Sequence, residues 1–147
     1  MDNSFKETEY QLYNFKDLDT FINIADIKIK ILEDDISSKS ISYEEKSTPT
    51  NAFHSDVETE VIRRELHNSQ KIEKLKLEKQ SRLRTKELIE TSLNVLDSTE
   101  KRLVEHRYFS KPKKSWKSIS LEMNMSEESC LKLRRVVISK LSKLINI

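Results

Sequence analysis

The 147-residue sequence contains no glycine, one cysteine, two prolines and one tryptophan. A loop that wraps a phosphate needs backbone turns free of a Cβ, so the missing glycine removes the P-loop and dinucleotide-binding readings. A single cysteine, Cys130, excludes an intramolecular disulfide. The three histidines, His54, His67 and His106, lack the spacing of metal ligands, and neither a metal nor another cofactor is expected. No apolar run approaches a membrane span and the first residues carry no signal-peptide pattern, so a cytoplasmic protein without a membrane partner is expected. No nucleophile, base and orienting group converge in any motif, so an enzyme is not expected.

What the chain has in abundance is charge, at 35%, matched by only 35% hydrophobic residues. That ratio suits thin, elongated helices better than a thick core. The net charge of +2 hides a split. Residues 1–60 hold 6 Lys and no Arg against 14 Asp and Glu, a net of −8, whereas residues 61–147 carry a net of +10. The front repels phosphate and the back attracts it.

The fold class expected is all-α: a long N-terminal helical hairpin or coiled coil, then a three-helix helix-turn-helix. The first helix should run from about Thr8 to Ile36. Phe15, Leu18, Ile22, Ala25, Ile29, Leu32 and Ile36 recur at steps of three and four, a heptad seam. Ile24, Ile27 and Ile31 widen the apolar surface beyond that seam. Residues 37–56 read as a polar linker, with Thr48-Pro49-Thr50-Asn51 turn-prone and Ile41, Tyr43 and Phe53 its sizeable apolar groups. A second long helix is expected from about Asp56, with Ser55 or Asp56 as its cap, to Leu96. The seams can close as an antiparallel hairpin within one chain or pair between two chains as a homodimer. Residues 1–96 form the oligomerisation region on this reading, and residues 97–147 form the DNA-binding domain. The acidic N-terminal helix is expected to face protein partners. The basic stretch Arg63 to Lys86 could fold back on that helix or lie along DNA.

Asp97 with Glu100 three positions later resembles a capping box and opens the C-terminal region. Leu103, Val104 and Tyr108 mark its first helix, ending near Phe109. Pro112 sits in a basic loop. Ser115 can cap a second helix carrying Trp116, Ile119 and Met123. After the Asn124-Met125 turn, Ser126 can cap a third, with Glu127 and Glu128 in its first turn. Cys130, Leu133, Val137, Leu141 and Leu144 form one apolar stripe, expected to pack on Ile119, Met123 and Leu103. A surface position is expected for His106 and a core one for Trp116 and Met125. Residues 111–147 hold 9 Lys and Arg against 3 Glu, a net of +6. A short helix, a tight turn and a basic second helix suit the DNA major groove. Glu127, Glu128, Leu131, Lys132 and Arg135 are the candidates to face base edges. Lys113, Lys114, Lys117 and Arg134 are the candidates to hold phosphates.

Three runs carry a resemblance. Ser98-Thr99-Glu100-Lys101-Arg102-Leu103-Val104-Glu105-His106-Arg107-Tyr108-Phe109, then Ser115-Trp116-Lys117-Ser118-Ile119, then Met125-Ser126-Glu127-Glu128-Ser129-Cys130-Leu131-Lys132-Leu133-Arg134-Arg135 resemble phage late-gene regulators of the RinA and ArpU type. These in turn look like the promoter-reading region 4 of bacterial sigma factors. Ile41-Ser42-Tyr43-Glu44-Glu45 and Val57-Glu58-Thr59-Glu60-Val61-Ile62-Arg63-Arg64-Glu65 are similar to the stretch before the coil in that group. Two positions depart from it: Ser120 stands where Ala is common, and Asn124 where Gly is common. The resemblance implies an activator of phage or prophage genes that binds double-stranded DNA and works with host RNA polymerase in the bacterial cytoplasm. Two other readings stay open: a DNA-packaging recognition subunit like a small terminase, and a protein-only adapter of RNA polymerase.

Overall fold

The computed structural model describes the backbone of residues 3–45 and 51–147, and the side chains of residues 3–36 and 58–147. The fold is all-α, with no strand among the described residues. Helix α1 spans Asn3–Asn14 and a 3-10 turn spans Phe15–Asp17. Then come α2 (Leu18–Glu45), α3 (Asn51–Ser92), a second 3-10 turn (Leu93–Val95), α4 (Ser98–Arg107), α5 (Trp116–Met123) and α6 (Glu127–Ile145). Among the described residues no helix is long and apolar enough to cross a membrane.

Two expectations about the long helices need correction. The first helix is not continuous from Thr8 to Ile36. At Asn14 the backbone opens to φ −93° and ψ −3°, and the Asn14 amide donates to the Tyr10 carbonyl at 2.8 Å. That bond lets the Asn14 side chain compete locally with the helical backbone pattern where α1 gives way to the 3-10 turn. The polar linker over residues 37–56 is also shorter than expected. Helix α2 continues through its serines to Glu45 and α3 begins at Asn51, because propensity is a weak prior once a helix is already propagating. The expected cap at Ser55 or Asp56 therefore falls inside α3. The side chains of Ile41, Tyr43 and Phe53, and the turn at Thr48-Pro49, lie outside the described residues.

The chain divides into two compact units. One is Asp19–Arg82; the other joins the segment ending at Leu18 to Leu83–Ile147. The sequence pattern alone places a single boundary, at 96/97. In the first unit α2 and α3 form an antiparallel hairpin. As numbers rise on α2 they fall on α3: Arg82 lies 5.0 Å from the Phe21 ring centroid, Lys79 pairs with Asp26 at 2.5 Å, and the Asn68 amide donates to Asp35 at 2.9 Å. Ile22, Ala25 and Ile29 of the predicted seam are buried, with Ile72 and Asn68 from α3. The basic stretch of α3 thus meets the acidic helix α2.

The second unit, the head, packs α4, α5 and α6 together and lays α1 along α6. Its core holds Leu103, Val104, Ile119, Cys130, Val137 and Leu141, with Leu12 of α1 and Ile89 of α3. Phe15 stacks on Phe109 with centroids 4.9 Å apart, so it serves the head and not the hairpin seam. The expected stripe on α6 is partly corrected. Leu144 is 44% exposed, while Ile138 and Ile145 are buried at 0% and 3%. Helix α6 packs against three helices, α1, α4 and α5, so more of its circumference is covered than a single stripe and Ile138 and Ile145 are buried as well.

Candidate nucleic-acid interface

Each helix of the head is started by its own sequence. The Asp97 carboxylate accepts from the Glu100 N–H at 2.8 Å and the Glu100 carboxylate accepts from the Asp97 N–H at 3.2 Å, completing the capping box. The bond from the Glu100 N–H holds the Asp97 carboxyl below the usual range. Glu100 is buried, and Lys140 of α6 donates to both its oxygens at 2.9 Å. Ser115 caps α5 by accepting from the Ser118 N–H at 3.2 Å. Ser126 caps α6 by accepting from the Ser129 N–H at 3.1 Å.

Between α5 and α6 the chain must reverse tightly, and without glycine the task falls to Asn124. It adopts φ 54° and ψ 41°, the left-handed conformation that asparagine tolerates. The Met125 N–H then reaches the Ser120 carbonyl at 3.0 Å, closing the C-terminus of α5. Ser120 is buried, and its hydroxyl donates back to the Lys117 carbonyl at 2.7 Å. Ser120 and Asn124 are thus both accommodated locally.

The first two and a half turns of α6 hold the five base-facing candidates. Glu127, Glu128, Lys132 and Arg135 are exposed, and Leu131 is half-buried beside them. Lys132 makes a loose, exposed pair with Glu128 at 3.4 Å. Cys130 points the other way, fully buried, and burial pushes its thiol pKa up.

The four phosphate candidates divide. Lys117 is exposed and, like that of Arg135, its side chain has no ion pair or hydrogen bond among the described residues. Lys113 is exposed, with its ammonium 4.5 Å from the Tyr13 ring centroid. Lys114 is half-buried and already engaged. It donates to Glu122 at 2.7 Å and lies 3.1 Å from Nδ1 of His106. That bond from Lys114 holds the Glu122 carboxyl below its ordinary range. His106 lies 2.9 Å from Glu122 and is half-buried, not on the surface as expected.

Arg134 faces inward and is the clearest departure from the expected phosphate set. It pairs with Glu9 of α1, and its guanidinium lies 5.2 Å from the Phe5 ring and 5.8 Å from Trp116. Burial opposes its charge, but the Glu9 carboxylate together with Tyr108 keeps the pKa raised. The neighbouring Tyr108 hydroxyl is buried without a hydrogen-bond partner among the described residues, as is Nε of Arg134. Burial and the Glu9 charge both push the Tyr108 pKa up.

Three residues of this arrangement carry no signal in the sequence. Arg107 lies 4.4 Å from the Trp116 ring, donates to the Tyr13 hydroxyl at 3.1 Å, and donates to the Lys114 carbonyl at 2.7 Å. It therefore ties α1 and the Lys113 loop to the start of α5. Tyr13 and Glu9 stand 94 and 125 residues from their partners, beyond any local pattern. Among the described residues no group of three or more His, Cys, Asp or Glu could hold a metal ion.

Residues 18–143 match the profile of a family described as "Protein of unknown function (DUF722)". The chain belongs to the DUF722 family. The match takes in the hairpin and nearly all of α6 but begins after α1, so the Glu9 and Tyr13 contacts of this DUF722 chain lie outside the matched region. Neither the curated proteins nor the solved structures give a match.

Proposed function

We propose that this DUF722 protein is a sequence-specific DNA-binding regulator of transcription, with α6 as the reading helix. The observation that carries the reading is the first half of α6. Its start is capped and held by a left-handed turn, and its outward face presents Glu127, Glu128, Lys132 and Arg135 to solvent. Side chains at the N-terminal end of such a helix reach base edges in a major groove. Lys113 in the preceding loop and Lys117 on α5 are exposed cations that would position the head on phosphates. The resemblance to RinA and ArpU regulators adds the finer reading: activation of phage or prophage late genes alongside host RNA polymerase, in the bacterial cytoplasm, by a homodimer.

The deciding experiment selects fragments of the surrounding genome that the purified protein retains. Recovery of a promoter-proximal site supports the regulator. Recovery of a packaging site would point to a terminase-like recognition subunit. Failure to bind duplex DNA even at low salt would reject DNA reading and leave the polymerase adapter.

A further inference from the structure

Helix α1 and the 3-10 turn after it meet cations of the head through residues at steps of four, Glu9, Tyr13 and Asp17. Glu9 pairs with Arg134. The Tyr13 ring centroid lies 4.5 Å from the Lys113 ammonium, and its hydroxyl accepts from Arg107 at 3.1 Å. Asp17 pairs with Lys111. Lys111 and Lys113 belong to the loop before α5, and Arg134 adjoins Arg135 on α6. The three contacts leave their cations in different states. Arg134 is largely withdrawn from solvent. Lys113 stays exposed with its charge intact against a ring. Lys111 stays exposed too, but a carboxylate cancels its charge locally; the side-chain exposures of the pair are 58% and 37%. This edge is anchored and not a loose tail. Thr8 and Leu12 are fully buried, and the Asn146 amide at the end of α6 donates to the Thr8 hydroxyl at 3.1 Å.

We propose that Lys111 is a further phosphate-holding residue of the head, and that Asp17 occupies it as a built-in counter-ion. The inference rests on the DNA reading of the preceding section. Lys111 lies two residues before Lys113 in the same exposed loop, and both meet the same edge of the N-terminal segment. A phosphate oxygen offers an ammonium what a carboxylate oxygen offers, a negative charge and a strong acceptor. A phosphate arriving at Lys111 either shares the ammonium with Asp17 or displaces it. Sharing sets two anions side by side. Displacement leaves Asp17 bare, and it then draws a cation from solution. In both cases the counter-ion release that normally rewards a lysine–phosphate contact is given back. Asp17 therefore lowers the affinity of the head for duplex of any sequence, while the base-facing residues of α6 keep their preferences.

The test is a salt series of anisotropy titrations with the full chain and a duplex of arbitrary sequence. Asp17→Asn should bind more tightly at low salt, by up to about fivefold, the ceiling for freeing one member of an exposed ion pair. Its logarithmic salt slope should steepen by about 0.9, the increment for one added phosphate contact. Lys111→Ala should keep the wild-type slope, and Asp17→Asn combined with Lys111→Ala should return to it. Because the pair is exposed, the thermal melting of all three variants should stay close to wild type. An unchanged slope in Asp17→Asn overturns the inference. So does a steeper slope that survives in the double variant, since Asp17 would then act without Lys111. A wild type that binds no duplex even at low salt rejects the DNA reading and this inference together. A wild type that binds, with a slope that Asp17→Asn does not move, rejects the counter-ion role alone.

Discussion

Arg134 and Arg135 are adjacent in sequence and opposite in circumstance. Arg134 turns inward to Glu9, with side-chain exposures of 23% and 12% for the pair, and Arg135 faces solvent. Removing one member of a mostly buried pair leaves the other charge uncompensated, at a cost of about 3 kcal/mol. Arg134→Ala should therefore lower the melting temperature markedly and change DNA affinity little at temperatures where the head stays folded. Arg135→Ala should do the reverse: a near-unchanged melting temperature, and about 1–3 kcal/mol less discrimination for the true site. Thermal denaturation and competition binding on the two variants separate these outcomes. If Arg134→Ala lost only DNA binding, the Glu9 pair would not hold the head. Asn124 offers a second residue-scale check. Placing a Cβ without a local hydrogen-bonding group in the left-handed region costs about 1 kcal/mol. Asn124→Ala should lose stability by that amount, and Asn124→Gly should not.

The starts of α4, α5 and α6 are legible in the sequence because capping is local. Asp97, Ser115 and Ser126 announce themselves within three residues of what they bond. The inward row of α6 is legible only in part, since Ile138 and Ile145 join a core to which Leu12, more than a hundred residues away, also contributes. The break after α1 is hidden for the opposite reason. Phe15 and Leu18 continue the heptad arithmetic of α2, and only the Phe15–Phe109 stack shows that the rhythm ends there. Charge alone marks the phosphate candidates, and charge does not say which lysine already has a carboxylate, as Lys114 does. At this scale the carboxylates give a pH dependence. Asp97 and Glu122 both have pKa values lowered by folding. Their contribution is fully present above the ordinary carboxylate range and is lost as pH falls through their folded values. Denaturant titrations at pH 7 and near pH 3 should show the head losing stability on acidification, with a smaller loss in Asp97→Asn. A head equally stable at both values would contradict the capping role. Truncation before Leu18 removes Leu12, Glu9 and Tyr13 together. It should leave a head that melts early or aggregates, so such a deletion measures folding before it measures function.

For the molecule as a whole, the charge split remains meaningful after pairing is counted. With Arg134 and Lys114 engaged internally, Lys113, Lys117, Lys132 and Arg135 are the cations left among the candidates, and Lys132 keeps a loose, exposed pair with Glu128. Neutralising about three phosphates per head gives a logarithmic salt slope near −3 for each bound chain. Anisotropy titrations across a salt series would read it, and a flat response would exclude a phosphate-tracking interface. The proposed homodimer calls for repeated half-sites about one helical turn apart or a multiple of it. Footprinting should then show paired protections, and a single short footprint would argue against two heads acting together.

Cys130 has one more use. It is the chain's sole thiol, and it is fully enclosed beneath the outward face of α6. A reagent that modifies thiols can reach it only when α6 lifts from α4 and α5, so the labelling rate acts as a clock for that opening. No reporter has to be engineered in, and no second cysteine confuses the signal. Occupancy of α6 by any ligand that binds only the closed head should slow the clock by a factor of one plus the ratio of ligand concentration to Kd.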